Sequence, residues 1–223
     1  MFDFIVIGGG SGGLASARRA AKLYSKKVLL IEGQRLGGTC VNVGCVPKKI
    51  MYNAASLVDS LKFFPSFGIT VSSAEEDLMS NGKSVHALKG RVNWSSLKEN
   101  RDAYIKKLNG IYERNLENDG VKVVRGYGIW LGEGKVQVDN EIYEGKHILI
   151  ATGSKPNLPM ISGMEHGITS DGFFELEHQP KNIAIVGSGY IAAEIANVFL
   201  LLGNGSFNFQ AAKLLYFAVK ITF

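Results

Sequence analysis

Two cysteines, Cys40 and Cys45, are the residues of this chain whose type and spacing suit redox chemistry. On a straight helix, residues five positions apart have Cα atoms roughly 8–9 Å apart, which exceeds the ~7 Å that a disulfide spans. A turn at Gly44 would bring the two thiols together. Pro47 suits the first turn of a helix, so Cys45 would lie just ahead of the positive helix end. That position, with Lys48 close in sequence, lowers the pKa of a thiol.

The same cysteines have a plainer interpretation as buried, inert thiols. A metal site is disfavoured, because two thiols lack further Cys or His at ligand spacing. Phe2–Ile7 already reads as a strand, which leaves no room for a signal or transit peptide. Two cysteines without a secretion signal favour a redox pair or buried thiols over a structural disulfide framework, and the expected location is cytoplasmic.

A glycine-rich turn follows this first strand, and it has the pattern Gly8-x-Gly10-x-x-Gly13, with Glu32 closing the next strand. Gly8 permits a tight turn, Gly10 lets the backbone approach a pyrophosphate, and Gly13 allows close packing of helix on strand. The helix N-terminus offers N–H groups and partial positive charge to phosphates. Glu32 can accept hydrogen bonds from both ribose hydroxyls of an adenosine. With a strand before it and a helix after it, the turn predicts dinucleotide binding.

Hydrophobic periodicity predicts an α/β protein. Apolar strands at Phe2–Ile7 and residues 27–31 flank a helix, so the chain opens with a βαβ unit. Residues 63–90 show no clear period and are predicted to form a surface excursion. The other predicted elements are a helix from Pro47, a long helical pattern introduced by Asn93-Trp94-Ser95 and running through Asn118, strands at 121–125, 127–131, 135–138, 147–150 and 182–186, and a helix from Gly187-x-Gly189 to about Leu202.

Composition limits the classes of partner. The net charge is +5, from 25 Lys and Arg against 20 Asp and Glu, and the basic pairs are scattered. Because no block of about five or six like charges occurs, neither nucleic acid nor an anionic membrane is indicated. No apolar run approaches the ~18 residues of a membrane span. The mildly basic balance suits an anionic cofactor and an anionic substrate.

The cysteine segment resembles the redox-disulfide signature of the pyridine nucleotide-disulfide oxidoreductases over the run Gly37-Gly-Thr-Cys-Val-Asn-Val-Gly-Cys-Val-Pro-Lys-Lys49. Its Val-Pro-Lys-Lys ending is similar to glutathione reductase, whereas dihydrolipoamide dehydrogenase usually has Ile-Pro-Ser-Lys. Further similar stretches begin at Ser11, Asn93, Arg101, Leu108 and Ile168, and the resemblance covers about residues 2–203. It implies a doubly wound, Rossmann-like FAD-binding domain followed by the start of a Rossmann-like NADPH-binding domain.

The resemblance also implies a reaction, the NADPH-dependent reduction of glutathione disulfide through FAD and a Cys40–Cys45 disulfide. Cys40 would attack glutathione disulfide, and the Cys45 thiolate would contact the flavin. Lys48 would lie near the reacting flavin edge and pair with Glu194. Tyr190 would cover the nicotinamide pocket.

The remaining site residues follow from matching positions, and no metal is expected. Positions for FAD are Gly8, Gly10, Ser11, Gly12, Gly13, Glu32, Gly38, Thr39, Lys48, Tyr127, Gly128, Thr152, Gly153 and Asp171. Positions for NADPH are Gly187, Gly189, Ile191 and Glu194, and positions for glutathione are Ser11, Arg18, Tyr104 and Tyr112. Plainer interpretations are a solvated helix residue for Arg18, a core stripe for the two tyrosines and a turn residue for Asp171.

The predicted organisation has three parts, which are an FAD-binding domain with the redox disulfide over residues 1–155, a linker and the start of an NADPH-binding domain over 156–203, and a divergent tail over 204–223. Because nothing after Gly203 matches the family pattern, we expect a truncated chain that does not turn over. A homodimer is expected for the family, although its dimer-forming region would be absent here. Two other interpretations remain, a related reductase acting on another disulfide and a non-catalytic flavin-binding fragment.

Overall fold

A computed structural model describes residues 1–69, 92–203, 207–211 and 217–222, with backbone alone at 203, 207–211 and 217–222. The described chain forms two compact units. The first unit comprises Met1–Pro47 and Asn100–Glu175, and the second comprises Lys48–Glu99 and Leu176–Phe223. The domain boundaries predicted from the sequence at residues 155 and 203 stay a prediction.

Six α-helices and nine strands make up the regular structure of the described residues. The helices are α1 (Ser11–Tyr24), α2 (Gly38–Val43), α3 (Cys45–Ser60), α4 (Trp94–Asn118), α5 (Ser170–Glu175) and α6 (Tyr190–Gly203), with 3₁₀ turns at Leu61–Phe67 and Met164–His166. The strands are β1 (Phe2–Ile7), β2 (Val28–Glu32), β3 (Lys122–Arg125), β4 (Ile129–Gly132), β5 (Lys135–Val138), β6 (Glu141–Ile150), β7 (Asn182–Val186), β8 (Phe207–Ala211) and β9 (Phe217–Thr222).

The first unit is built on a six-stranded sheet with the order β3-β2-β1-β6-β5-β4. Strands β3, β2, β1 and β6 are parallel neighbours, whereas β6, β5 and β4 form an antiparallel meander. Strand β6 belongs to both parts, because its first half pairs with β5 and its second half with β1. This mixed α/β sheet, with its parallel part led by a βαβ unit, agrees with the Rossmann-like fold class predicted from the sequence.

The central strands β1 and β2 are largely apolar on both faces, and both of their faces are covered. Successive side chains of a strand point to opposite faces, so Val6 and Leu30 share one apolar cluster with Leu14 of α1 and Leu116 of α4. The opposite face carries a second cluster, formed by Ile5, Ile7, Leu29, Ile31, Val136 and Val138. The meander strand β5 therefore covers the face that the helices leave open.

The second unit contains the strand–glycine turn–helix that the sequence predicts, as β7 followed by α6. Its sheet has the order β7-β9-β8, and both pairings are antiparallel. Trp94 anchors the start of α4 in this unit, because its ring stacks on Phe199 of α6 with centroids 5.6 Å apart. Its Nε1 donates a hydrogen bond to the carbonyl of Leu176 at 2.9 Å.

Several element bounds differ from the prediction. The helix predicted from Pro47 begins at Cys45, and the short helices α2 and α5 were not predicted, because Gly, Thr and Asn favour turns in an isolated sequence. Strand β6 begins at Glu141 instead of residue 147, because its first residues pair with β5 in antiparallel fashion. Charged residues interrupt the apolar alternation there, so the sequence did not indicate a strand. The tail, predicted without a clear period, contains β8 and β9. Of the surface excursion predicted over 63–90, residues 70–90 lie outside the described residues.

Within the described residues, no helix has the length and apolar character needed to cross a membrane.

The first turn of α1 offers a matched test of the packing. A methyl group at Gly13 would overlap the carbonyl oxygen of Gly8, whereas one at Gly12 would meet no atom within 4 Å. We expect Gly13→Ala to lower the free energy of unfolding by about 2 kcal/mol or more, because overpacking forces the turn apart. Gly12→Ala should be neutral or stabilising by up to ~1 kcal/mol. Urea unfolding of both variants checks this, and equal stabilities would contradict it.

Candidate active site

The predicted site residues of the first unit gather where β1, β2 and β6 end. Ile7 lies opposite Ile31 of β2 and opposite Ile150 of β6, so the three carboxyl ends are level. The chain leaves β1 at Gly8, whose N–H donates to the carbonyl of Ile31 at 2.8 Å, and the N–H of Ala151 donates to Ile7 at 2.8 Å. In open α/β sheets, ligands bind at this edge.

The glycine turn brings backbone close to backbone. Gly8 has a φ of 107°, and a side chain there would collide with the backbone of Ala151 and Thr152. Helix α1 then begins at Ser11, and its N-cap residue Gly10 provides no side-chain capping bond. The first N–H groups of a helix have no intrahelical partner, so this helix end can hold an anionic phosphate.

Glu32 is held beneath the turn as a buried carboxylate, with 9% of the residue exposed. Its Oε2 accepts a hydrogen bond from the N–H of Gly9 at 2.6 Å, and its Oε1 accepts one from Gln34 at 2.6 Å. Bonds from two N–H donors offset the cost of burying this charge. Each carboxylate oxygen retains accepting capacity for a further donor.

The cysteine segment is docked directly on the glycine turn. The N–H of Gly37 donates to the carbonyl of Gly9 at 2.8 Å. Gly38 lies against Gly10 so closely that an added Cβ would be 2.7 Å from the Gly10 Cα. Helix α2, which carries Thr39 and Cys40, starts from this contact. The structure therefore brings the turn and the cysteines of the first unit into one place.

The two cysteines are neighbours because α2 and α3 are separate helices. Gly44 breaks the chain between them, and a Cβ at Gly44 would lie 2.8 Å from the carbonyl oxygen of Thr39. Both thiols are free, with Cys40 half-buried and Cys45 exposed. The pKa of Cys40 is raised above its ordinary value, chiefly by its side-chain hydrogen bond with Cys45 and further by burial, while a bond from Ser11 opposes the shift.

Other positions predicted to bind FAD flank the same edge. The ring of Tyr127 covers Gly33, where an added Cβ would lie 2.7 Å from the ring, and its hydroxyl accepts a bond from Gln34 at 3.5 Å. Gly128 packs against Ile7. The remaining positions are Thr152 and Gly153, which are exposed directly after β6, and Asp171, which is half-buried in α5 beside α2.

The positions predicted to bind glutathione are more dispersed. Ser11 lies near enough to Cys40 to oppose the rise in the pKa of its thiol. The Nε of Arg18 donates to Asp119 at 2.6 Å, so Arg18 is ion-paired and not simply solvated. Tyr112 packs partly against the first apolar cluster, whereas Tyr104 is 48% exposed and is no part of a core stripe.

In the second unit, Lys48 and Glu194 form the predicted pair. The Nζ of Lys48 lies 2.7 Å from Oε1 of Glu194, and both side chains are partly exposed. Tyr190 begins α6 with 77% of its surface exposed, and Ile191 is also exposed. Gly187 has a φ of 134°, and a Cβ at Gly189 would meet no atom within 4 Å, so the turn before α6 leaves open space for a ligand.

Sequence reasoning missed the polar side chains that hold the site from behind. Asn42 and Asn109 bond each other and the start of α2. Arg101, 2% exposed, donates to the carbonyl of Phe174 at 2.6 Å and so fixes α5. Asn42 lies inside the cysteine segment, and a polar residue between apolar neighbours was the available signal. No local sequence pattern indicated a role for Asp119, because its partner Arg18 lies 101 positions away.

A mixed sheet with four parallel strands, a glycine turn at its edge and a dithiol on that turn define a dinucleotide-binding redox protein. The family model described as pyridine nucleotide-disulphide oxidoreductase matches residues 2–218, and the chain belongs to this family. The family model extends past residue 203, where the resemblance to glutathione reductase was expected to end.

Curated relatives are similar over most of this chain. It is 50% identical over 208 residues to a glutathione reductase of Yarrowia lipolytica, covering 89% of this chain and 42% of the relative. It is 51% identical over 211 residues to a glutathione reductase of Schizosaccharomyces pombe, covering 91% and 42%. A glutathione reductase of Debaryomyces hansenii is 45% identical over 227 residues, covering 91% and 44%. The chain thus spans less than half the length of these relatives.

Two contacts of Cys40 shift the pKa of its thiol in opposite directions. We expect Cys45→Ala to lower the pKa of Cys40, because the bond that favours its neutral thiol is lost. Ser11→Ala should raise the pKa of Cys40 further, because Ser11 favours the thiolate. The check is the pH dependence of Cys40 alkylation by iodoacetamide, read from its peptide by mass spectrometry, with both cysteines kept reduced by a phosphine. Shifts in the same direction would contradict the described contacts.

Proposed function

We propose that this chain carries the FAD-binding and dithiol part of an NADPH-dependent glutathione-disulfide reductase. The single observation that carries the proposal is the docking of the cysteine segment on the glycine turn, through Gly37 and Gly38. This contact supports a dithiol that lies beside whatever the turn binds. The similarity to three glutathione reductases supports the substrate. A cytoplasmic location and a homodimer stay expectations from the sequence.

The residues at the sheet edge fit FAD. Its pyrophosphate would lie on the first turn of α1, where backbone N–H groups are unpaired. The free accepting capacity of Glu32 suits ribose hydroxyls, and Tyr127 offers an exposed ring beside it. When bound, FAD supplies the two-electron reducing chemistry. The chain's own contribution is to hold the dinucleotide and the two thiols in fixed positions.

The dithiol then reduces its substrate by thiol–disulfide exchange. The Cys40 thiolate attacks one sulfur of glutathione disulfide, which forms a mixed disulfide and releases one glutathione. Cys45 attacks the Cys40 sulfur, closes the Cys40–Cys45 disulfide and releases the second glutathione. Two electrons pass from the dithiol to the substrate, and the two thiol protons end on the glutathione molecules. The Ser11 hydroxyl assists by stabilising the Cys40 thiolate.

Accessibility and resemblance disagree on which thiol attacks. In the described structure Cys45 is the more exposed cysteine, and the raised pKa of Cys40 reduces its thiolate fraction. The family resemblance assigns attack to Cys40 and flavin contact to Cys45. A flavin bound over Cys45 would reconcile the two, because it would leave Cys40 as the accessible sulfur. We therefore assign the attack to Cys40 in the FAD-loaded chain.

The second unit supports a role for NADPH. The open turn at Gly187 and Gly189 leads into α6, whose first residue is the exposed Tyr190. Strand, glycine turn and helix are the parts that hold a dinucleotide pyrophosphate. The Lys48–Glu194 pair fixes the lysine ammonium on a single carboxylate, which suits a cation kept in place beside an anionic ring. We assign Lys48 to that role on the family resemblance.

A trapping experiment on the FAD-loaded, phosphine-reduced chain tests this function. We expect the wild-type chain to release two glutathione molecules per glutathione disulfide and to gain one internal disulfide. Cys45→Ser should retain one glutathionyl group on Cys40, because no second thiol resolves the mixed disulfide. Mass spectrometry and a count of released glutathione report both results.

Cys40→Ser is the matched control for this experiment, and it should take up much less glutathione because bound flavin would cover its remaining thiol. A chain that retains no FAD after gel filtration, or a wild-type dithiol that is inert toward glutathione disulfide, would overturn the proposed function. Equal adducts in the two single-cysteine variants would overturn the assignment of Cys40.

A further inference from the structure

Two asparagine side chains connect the cysteine segment to the long helix α4. The Nδ2 of Asn109 donates to the carbonyl of Leu36 at 2.8 Å and to Oδ1 of Asn42 at 3.0 Å. The Nδ2 of Asn42 donates to the carbonyls of Leu36 at 3.2 Å and Gly38 at 2.9 Å. Asn42 is 7% exposed. These four bonds reach from residue 109 to the first turn of α2.

The orientation of both amides is determined by their partners. Each Nδ2 faces two oxygen acceptors, and an amide nitrogen has two hydrogens to donate. The two side chains therefore use their full donor capacity, and Oδ1 of Asn42 is also satisfied. A carboxylate at position 109 would set negative oxygen against the Leu36 carbonyl and Oδ1 of Asn42. Neither alanine nor aspartate can replace this asparagine without losing the bonds.

Helix α2 depends on such contacts for its position. It has six residues, its N-cap residue Gly37 provides no side-chain capping bond, and Gly44 ends it. An isolated helix of this length is unstable in water, so tertiary contacts must fix it. Cys40 lies in the middle of α2, two positions before Asn42. The position of the Cys40 thiol relative to Cys45 is therefore set by whatever holds α2.

We propose that Asn109 is a positioning residue that acts through Asn42 to hold the Cys40 thiol at the Cys45 thiol, and so favours the disulfide between them. The inference rests on the proposed function, which requires that disulfide. Closing the disulfide is favoured when the two sulfurs are already held together, because less freedom is lost. Loss of the asparagine bonds releases α2 and makes the disulfide easier to reduce.

The test is the equilibrium of the full chain with a buffer of reduced and oxidised dithiothreitol. Two electrons and two protons pass from the Cys40 and Cys45 thiols to oxidised dithiothreitol, the protein disulfide forms, and reduced dithiothreitol is released. Acid quenching, alkylation and mass spectrometry give the fraction oxidised. We expect Asn109→Asp and Asn109→Ala each to lower the equilibrium constant for disulfide formation about tenfold, which makes the potential less negative by ~30 mV.

Asn100 provides the matched controls, because it is an exposed asparagine on the same helix. Asn100→Asp and Asn100→Ala should leave the equilibrium constant for disulfide formation unchanged. Comparison of the two alanine variants, Asn109→Ala and Asn100→Ala, excludes an effect of added charge. If Asn109→Asp does not fold by far-ultraviolet circular dichroism, Asn109→Ala decides the result.

The outcomes separate the two proposals. A wild-type chain that forms the disulfide, with Asn109 variants matching their Asn100 controls, overturns the positioning role and leaves the proposed function standing. A wild-type chain that forms no internal disulfide at any buffer ratio overturns both.

Discussion

The close contact between the glycine turn and the cysteine segment is the constraint on which the site of the first unit depends. A Cβ at Gly38 would come within 2.7 Å of the Gly10 Cα, so two backbones meet there without room for a side chain. The bond from Gly37 to Gly9 fixes the contact in register. A turn whose geometry suits phosphate thereby also carries the dithiol. Under the proposed function, one arrangement of backbone would serve both binding and redox chemistry.

The polar groups behind this contact are satisfied within the first unit, and that satisfaction makes the arrangement specific. The buried carboxylate of Glu32 accepts bonds from two N–H groups on either side of the edge. The Asn42 and Asn109 amides bond each other and the start of α2. A buried polar group without a partner is costly. Displacement of the turn or of α2 is unfavourable because it would leave several of these groups without partners at once.

The sequence allowed prediction of the elements with strong periodicity and of the motifs with local chemistry. The long helix ends at Asn118 and the strand spans 135–138 as predicted, because each element has a regular apolar pattern. The glycine turn and its acid are recognisable because their spacing occurs between a predicted strand and a predicted helix, all within one short stretch of sequence. Helix α2 could not be predicted, since its six residues have weak helix propensity and are held by Asn109, which lies 73 positions from Leu36. The Arg18–Asp119 pair is equally invisible to local patterns.

Protection of Cys45 from alkylation tests most directly whether the glycine turn and the dithiol form one site. The reduced chain is treated with iodoacetamide alone, with saturating FAD, or with saturating ADP-ribose, which carries the adenosine and pyrophosphate without a flavin ring. The account predicts that FAD slows the labelling of Cys45 and that ADP-ribose competes with FAD without slowing it. Equal labelling under all three conditions, with binding of both ligands established, would contradict it.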